Sequence, residues 1–305
     1  MSIHDAMFSA CEAVGIAPPR ATKPGQWVKC PVIGKSRVNG SGRVMMFDDG
    51  KGGIAWNWIT GAQQRFRADG LAGAGEVRAP RRDMDAERRL QQERAEVARI
   101  CGVIVRACRV EHHAYLERKG FPDEAGLVID DPRPMIPDHG LGRAIVRALP
   151  EGDGPWLIVP GRIGRDITMI QIIAADGAKK NILHGVMSGA SHRIAVGRET
   201  WVCEGIATAL TVRAALRALG RSATVLSAFS ASNVSKVASA IPGALVAADN
   251  DRPLDQLHGK GTGEFHAAAS GRRWTMPPDL GDFNDMHTRD GLRAVSLHLR
   301  AFGMG

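Results

Sequence analysis

Two stretches decide the fold: "TWVCEGIATAL" at 200–210 and "ALVAADND" at 244–251. In the first, the apolar run Trp201-Val202-Cys203 stops at a carboxylate, Glu204, and Gly205 opens "IATALTVRAALRAL", whose spacing predicts a helix. In the second, an apolar run again stops at acids, Asp249-Asn250-Asp251, with Asp249 lying 45 residues after Glu204. Between them, "ATVLSAF" reads as a strand and "SNVSKVASAI" as a helix. After them come a helix near 261–270, a strand at "RRWTM" and a closing helix at "GLRAVSLHLRAF". Strands alternating with helices predict an α/β fold with a mainly parallel, doubly wound sheet.

In such sheets functional side chains collect beyond the carboxyl ends of the strands. Glu204 holds that position on the first strand and Asp249 and Asp251 hold it on a later one. "DFND", with Asp282 and Asp285, adds a third acidic group. Unit charges about 4 Å apart repel by roughly 4 kcal/mol at an effective dielectric near 20. Such a gathering calls for protonation or for a cation. All-oxygen donors without a nearby histidine favour Mg²⁺ or Mn²⁺ over zinc. Cys203 is expected to point to the opposite face from Glu204. Each acid alone reads equally as a turn residue or a helix cap; the set of strand-end acids is the signal.

The rest of the chain divides by composition. Residues 1–66 alternate short apolar runs with Gly, Asn and Asp turns and predict a small antiparallel sheet. The unit holds Trp27, Trp56 and Trp58 among the basic residues Lys29, Lys35, Arg37 and Arg43. Its β-rich stretch 25–61 has Cys30 alone and no histidine, so zinc is not expected there. Residues 67–82 are basic and Gly/Ala-rich, a linker, and "DMDAERRLQQERAEVARICGVIVRACRV" at 83–110 predicts one long helix. Cys101 and Cys108 share a face of it and read as packed core rather than ligands. The expected division is 1–66, 67–112, 113–197 and 198–305.

The net charge of +8 and pI of about 9.6 favour a polyanionic partner. Five irregularly spaced cysteines argue against a disulfide framework, and neither a secretory signal nor an apolar span of about 18 residues is visible. A reducing, cytoplasmic location is the expectation.

"CEGIATALT" followed by "AADND" resembles the Toprim domain shared by bacterial-type primases, type IA and II topoisomerases and some nucleases. The resemblance is nearest to Toprim primases of phages and plasmids, where phrases similar to "AYLERKGF" and "MIQIIAADGAKKNILHG" precede the core and a "DFND"-like segment closes it. It runs over roughly 112–300. It implies a Toprim-like parallel sheet with flanking helices, preceded by a mixed α/β primase subdomain and the small N-terminal β-rich unit. It also implies a Mg²⁺-dependent nucleotidyltransferase making RNA primers on single-stranded DNA from nucleoside triphosphates. By position, Glu204 matches the Toprim glutamate, Asp249 and Asp251 the DxD metal ligands, and Asp282 and Asp285 a further acidic group. Lys179 and Lys180 match a basic position implied to touch nucleotide or template phosphate; a solvated turn is the alternative. The first 66 residues depart from the family in lacking its zinc ribbon. No helicase motif is present, so a helicase would act in trans.

Two alternatives stay open at this level. One is a Toprim nuclease using the same carboxylates, the other a catalytically weak accessory protein that binds single-stranded nucleic acid. A type IA topoisomerase needs a tyrosine nucleophile, and the only tyrosine, Tyr115, lies in "AYLERKGF". Trp56 and Trp58, two apart in "AWNW", are expected to face one side of a strand, with at least one of them exposed to stack on unpaired bases; the alternative is that the tryptophans make the core of the small sheet.

Overall fold

The computed structural model describes residues 2–35, 39–68 and 84–303. Arg37, Asp83 and nearly all of the expected 67–82 linker lie outside the described residues. The chain divides into two compact units, one formed by Met1–Arg81 with Arg252–Thr262, the other by Arg82–Asp251 with Gly263–Gly305. Among the described residues no helix is long and apolar enough to cross a membrane. The fold is mixed α/β.

The first unit opens with helix α1 (Ile3–Ala13), started by a capping box between Ser2 and Asp5. Strands β1 (Trp27–Cys30), β2 (Gly42–Met46), β3 (Gly52–Asn57) and β4 (Gln63–Arg67) follow as an antiparallel sheet in sequence order. Alternation sorts the two faces. Gly42, Val44, Met46, Ala55 and Asn57 are buried, and α1 adds Ala6, Met7, Ala10 and Cys11 to the core. Asn57 ties the two together, its amide donating to the Val14 carbonyl at 2.8 Å. A Cβ on Gly53 would strike the Phe66 ring and the Met45 carbonyl, so this close strand pairing demands glycine there.

The second unit begins with helix α2 (Met84–Ala107). The helix expected through Val110 stops earlier: Arg109–His112 forms β5, paired antiparallel with β6 (Ala125–Ile129). Helix α3 (Ala114–Arg118) lies between these two strands and α4 (Gly140–Ala148) follows β6. The hairpin β7 (Trp156–Ile163) and β8 (Asp166–Ile173) completes an antiparallel sheet with the edge strand β9 (Lys179–Asn181), in the order β5-β6-β7-β8-β9. Val97, Ile100, Cys101 and Ile104 of α2 are buried in the core of this sheet, with Cys108 partly buried beside it.

The last sheet has the order β10-β12-β11-β13-β14. Strands β11 (Glu199–Cys203), β12 (Ala223–Ser227), β13 (Leu245–Ala247) and β14 (Arg273–Thr275) run parallel, and β10 (His192–Ala195) closes one edge antiparallel. Its helices are α5 (Ile206–Ala218), α6 (Ala231–Ser239), α7 (Thr262–Ala269), α8 (Phe283–Asp290) and α9 (Leu292–Gly303). Along β11 the side chains alternate between two cores. Trp201 and Cys203 pack with Val212 of α5, Phe283 of α8 and Leu299 of α9, while Val202 packs with Val234 and Val237 of α6 and Ala267 of α7. Cys203 thus points into the core, and burial pushes its thiol well above the ordinary 9.0.

Candidate active site

The topology brings the acids together. From β11 the chain crosses by α5 to β12 on one side, then by α6 to β13 on the other side of β11. The crevice at such a switch point lies beyond the carboxyl ends of the two central strands. Cys203 of β11 pairs with Ala247 of β13. Glu204 is the next residue on one strand and Asp249 lies two beyond on the other.

Asp249 is the centre of the arrangement. Its Oδ1 is buried without a hydrogen-bond partner. Burial holds its carboxyl well above the ordinary 3.8, and the charges of Glu204, Asp282 and Asp251 push it further the same way. Lys179 pulls in the opposite direction. Four carboxylates, from three separate segments, therefore gather around Asp249, with one lysine opposing them.

The other acids have local work as well. Asp251 accepts the Gly263 backbone N–H at 2.9 Å, at the start of α7. A Cβ on Gly263 would fall on the Asp249 carbonyl, so glycine allows the loop and the helix to meet. Asp282 is the N-cap of α8, and Asp285 completes a capping box with it. Asp249 and Asp251 are not strand residues: β13 ends at Ala247 and both acids lie in the loop beyond it.

An open cleft of about 540 Å³ adjoins the acids, lined among others by Tyr115, Lys119, Lys179, Gly205, Thr208 and Asp282. Tyr115 is buried, and its hydroxyl is pushed up to about 12, chiefly by that burial. Lys179 enters the cleft from the edge strand β9, whereas Lys180, next along an extended strand, projects to its other face. The basic pair of the sequence is split between two surfaces. Arg118 and Lys119, lining the cleft from α3 and its C-cap, were not singled out from the sequence, although they lie inside the phrase "AYLERKGF". Asn284, fully buried, fastens α8 beside the cleft by donating to the Lys119 carbonyl at 2.8 Å and to Thr211 Oγ1 at 3.2 Å.

Whether these residues suit a divalent cation follows from their chemistry. The donors are carboxylate oxygens, and Asp249 Oδ1 is a buried acceptor lacking any donor. Among the described residues no group of three or more His, Cys, Asp or Glu side chains is arranged to hold a metal ion by itself. Mg²⁺ is commonly held by one or two carboxylates, waters and substrate phosphates rather than by an all-protein cage. The set fits an ion of that kind, completed by a phosphate ligand. It does not fit a closed structural metal site.

In the first unit, Trp56 sits on the face of β3 opposite α1, and Trp58 lies just past the strand end. Their rings meet edge to face, 5.7 Å apart at 73°, rather than in a parallel stack. Trp27 joins from β1 at 6.2 Å from Trp56. Trp58 and Trp27 are 48% and 46% exposed, and the Arg43 guanidinium covers the Trp58 ring at 3.9 Å. The tryptophans therefore form an outward aromatic surface with a cation on it, not the core of the sheet.

No family model matches the chain. Among solved structures it is similar to the primase fragment of the bacteriophage T7 primase-helicase protein, at 16% identity and a TM-score of 0.36. That similarity covers 47% of this chain and 62% of the other, so the chain spans about three fifths of the structure it matches.

Proposed function

We propose that this protein is a Mg²⁺-dependent DNA primase of the Toprim type, joining ribonucleotides on a single-stranded DNA template. The observation that carries this reading is the convergence of Glu204, Asp251 and Asp282 on Asp249, a buried carboxylate lacking a hydrogen-bond donor at Oδ1. Acids so placed at the switch point of a parallel sheet are costly without a cation and suited to one that brings phosphate with it. A bound Mg²⁺ would supply stabilisation of charge on phosphoryl oxygens. Glu204, Asp249 and Asp251 would hold it, with Asp282 adjoining. Asp285 stands further back in this scheme, since its carboxylate serves the capping box.

Lys179 opposes the acids and lines the cleft, which suits a contact to nucleotide phosphate. Lys180 faces away, which suits the template strand or solvent. In the first unit, the aromatic surface of Trp27, Trp56 and Trp58 with Arg43 suits stacking on unpaired bases. A replicative helicase is the protein partner that this reading implies.

The test incubates the protein with single-stranded DNA, Mg²⁺ or Mn²⁺ and labelled ribonucleoside triphosphates, and resolves the products on a denaturing gel. Short labelled RNA that depends on template and metal is the expected result. Cleavage of the DNA without labelled product would replace the primase reading by a nuclease on the same acids. Binding without either product would leave an accessory protein.

A further inference from the structure

The cleft has a feature that the carboxylates do not use. Helix α5 starts at Gly205 with no side-chain cap and no acid in its first turn. The first N–H groups of a helix lack intrahelical partners and carry the positive end of its dipole. Thr208 lies in that turn. It is 1% exposed, its Oγ1 is buried with no hydrogen-bond partner, and it lines the cleft. A buried hydroxyl without a partner is unfavourable, so a ligand that engages it gains from doing so.

Gly205 supplies a second, separate observation. Its backbone, at φ −101° and ψ 159°, is ordinary extended chain that any residue adopts. A Cβ there would meet only Thr208 Oγ1, at 3.9 Å. The fold therefore does not require glycine at 205. The missing side chain instead leaves room directly beside the unpartnered hydroxyl. Lys179, Lys119 and Arg118 line the same cleft and favour an anion, while Asp176 and Asp282 oppose one.

We infer that the first turn of α5, with Gly205 and Thr208, is a seat for a phosphoryl group from the polyphosphate tail of a nucleotide. Backbone N–H groups of the turn and the Thr208 hydroxyl donate to its oxygens, and Lys179 and Lys119 balance its charge. The choice of a nucleotide over any other phosphate rests on the proposed primase function; the seat itself rests on the geometry of α5. Because Asp282 adjoins the seat, binding should be stronger with Mg²⁺ present.

The test is calorimetric titration of the full chain with inorganic tripolyphosphate, with and without Mg²⁺, for the wild type, Gly205→Ala, Thr208→Val and Thr208→Ser. The wild type should bind, Gly205→Ala and Thr208→Val should each bind about tenfold more weakly, and Thr208→Ser should stay within about twofold. Gly205→Ala introduces no clash and should melt as the wild type does, so it tests the seat even if Thr208→Val is unstable. Equal binding by the wild type and Gly205→Ala would overturn the seat, as would a wild type that does not bind tripolyphosphate with or without Mg²⁺. Tripolyphosphate binding as expected, with no primers made on the gel, would sink the primase reading and keep the seat. Primers made with an unchanged nucleotide KM in both Gly205→Ala and Thr208→Val would do the reverse.

Discussion

Asp282 and Asp285 hold each other's backbone. Asp282 Oδ1 accepts the Asp285 N–H at 2.9 Å, and Asp285 Oδ2 accepts the Asp282 N–H at 3.0 Å. This reciprocal box starts α8, which carries the fully buried Phe283 and Asn284 into the sheet's core. An acid pair legible in the sequence as metal ligands is thus also a helix start. Asp285→Ala should lower the stability by about 1 kcal/mol, read by urea denaturation. A variant as stable as the wild type would remove the capping account.

Asp249 sets a pH dependence. Its folded-state carboxyl titrates well above the ordinary 3.8 that applies to the unfolded chain, chiefly through burial. The native state then keeps a proton that the unfolded chain has lost, so stability falls as pH rises from that ordinary value through the raised one. Asp249→Asn cannot titrate there. The difference in unfolding free energy, wild type minus variant, should decline as pH is raised from about 4 towards neutrality. A difference that is flat or that rises with pH would contradict the burial of a charged Asp249.

Lys179 and Lys180 should separate in function, because only the first lines the cleft. Lys179→Ala should raise the nucleotide KM about tenfold through loss of a charge-assisted contact, and Lys180→Ala should leave it within about twofold. Equal effects from the two would mean that β9 does not present them as the pairing of β8 and β9 dictates.

For single-stranded DNA, stacking and phosphate contacts have different signatures. Affinity should fall with salt at a logarithmic slope near −0.7 per phosphate contact. Trp58→Ala should weaken binding by about 1–3 kcal/mol while leaving that slope unchanged. A change in slope without loss of affinity at low salt would assign Trp58 to something other than stacking.

The parts of the fold that the sequence revealed are those where burial wrote a pattern. The runs before Glu204 and Asp249 are apolar because β11 and β13 are covered on both faces, and Gly and Asp mark their ends. Strand β5 left no such mark: all four of its residues are exposed, and it exists through pairing with β6. The helical pattern of α2 therefore ran on past Ala107. Helix α8 was hidden differently, since its eight residues are mostly polar and its first acids read as chemistry. At the site, the meeting of Glu204 and Asp249 was legible from strand ends alone. Thr208 and Lys119 were not, because a threonine in a helix and a lysine in a turn are common where nothing binds. Only the orphaned hydroxyl and the shared cleft distinguish them.

The proposed function rests on the acids around Asp249 holding a divalent cation. The most direct measurement is the melting temperature of the wild type and of Asp249→Asn, each with and without Mg²⁺, at neutral pH. Without Mg²⁺ the variant should melt higher, being relieved of a buried charge among like charges. Added Mg²⁺ should then raise the wild type by mass action and leave the variant unmoved. A variant that melts lower than the wild type, together with a wild type indifferent to Mg²⁺, would contradict it.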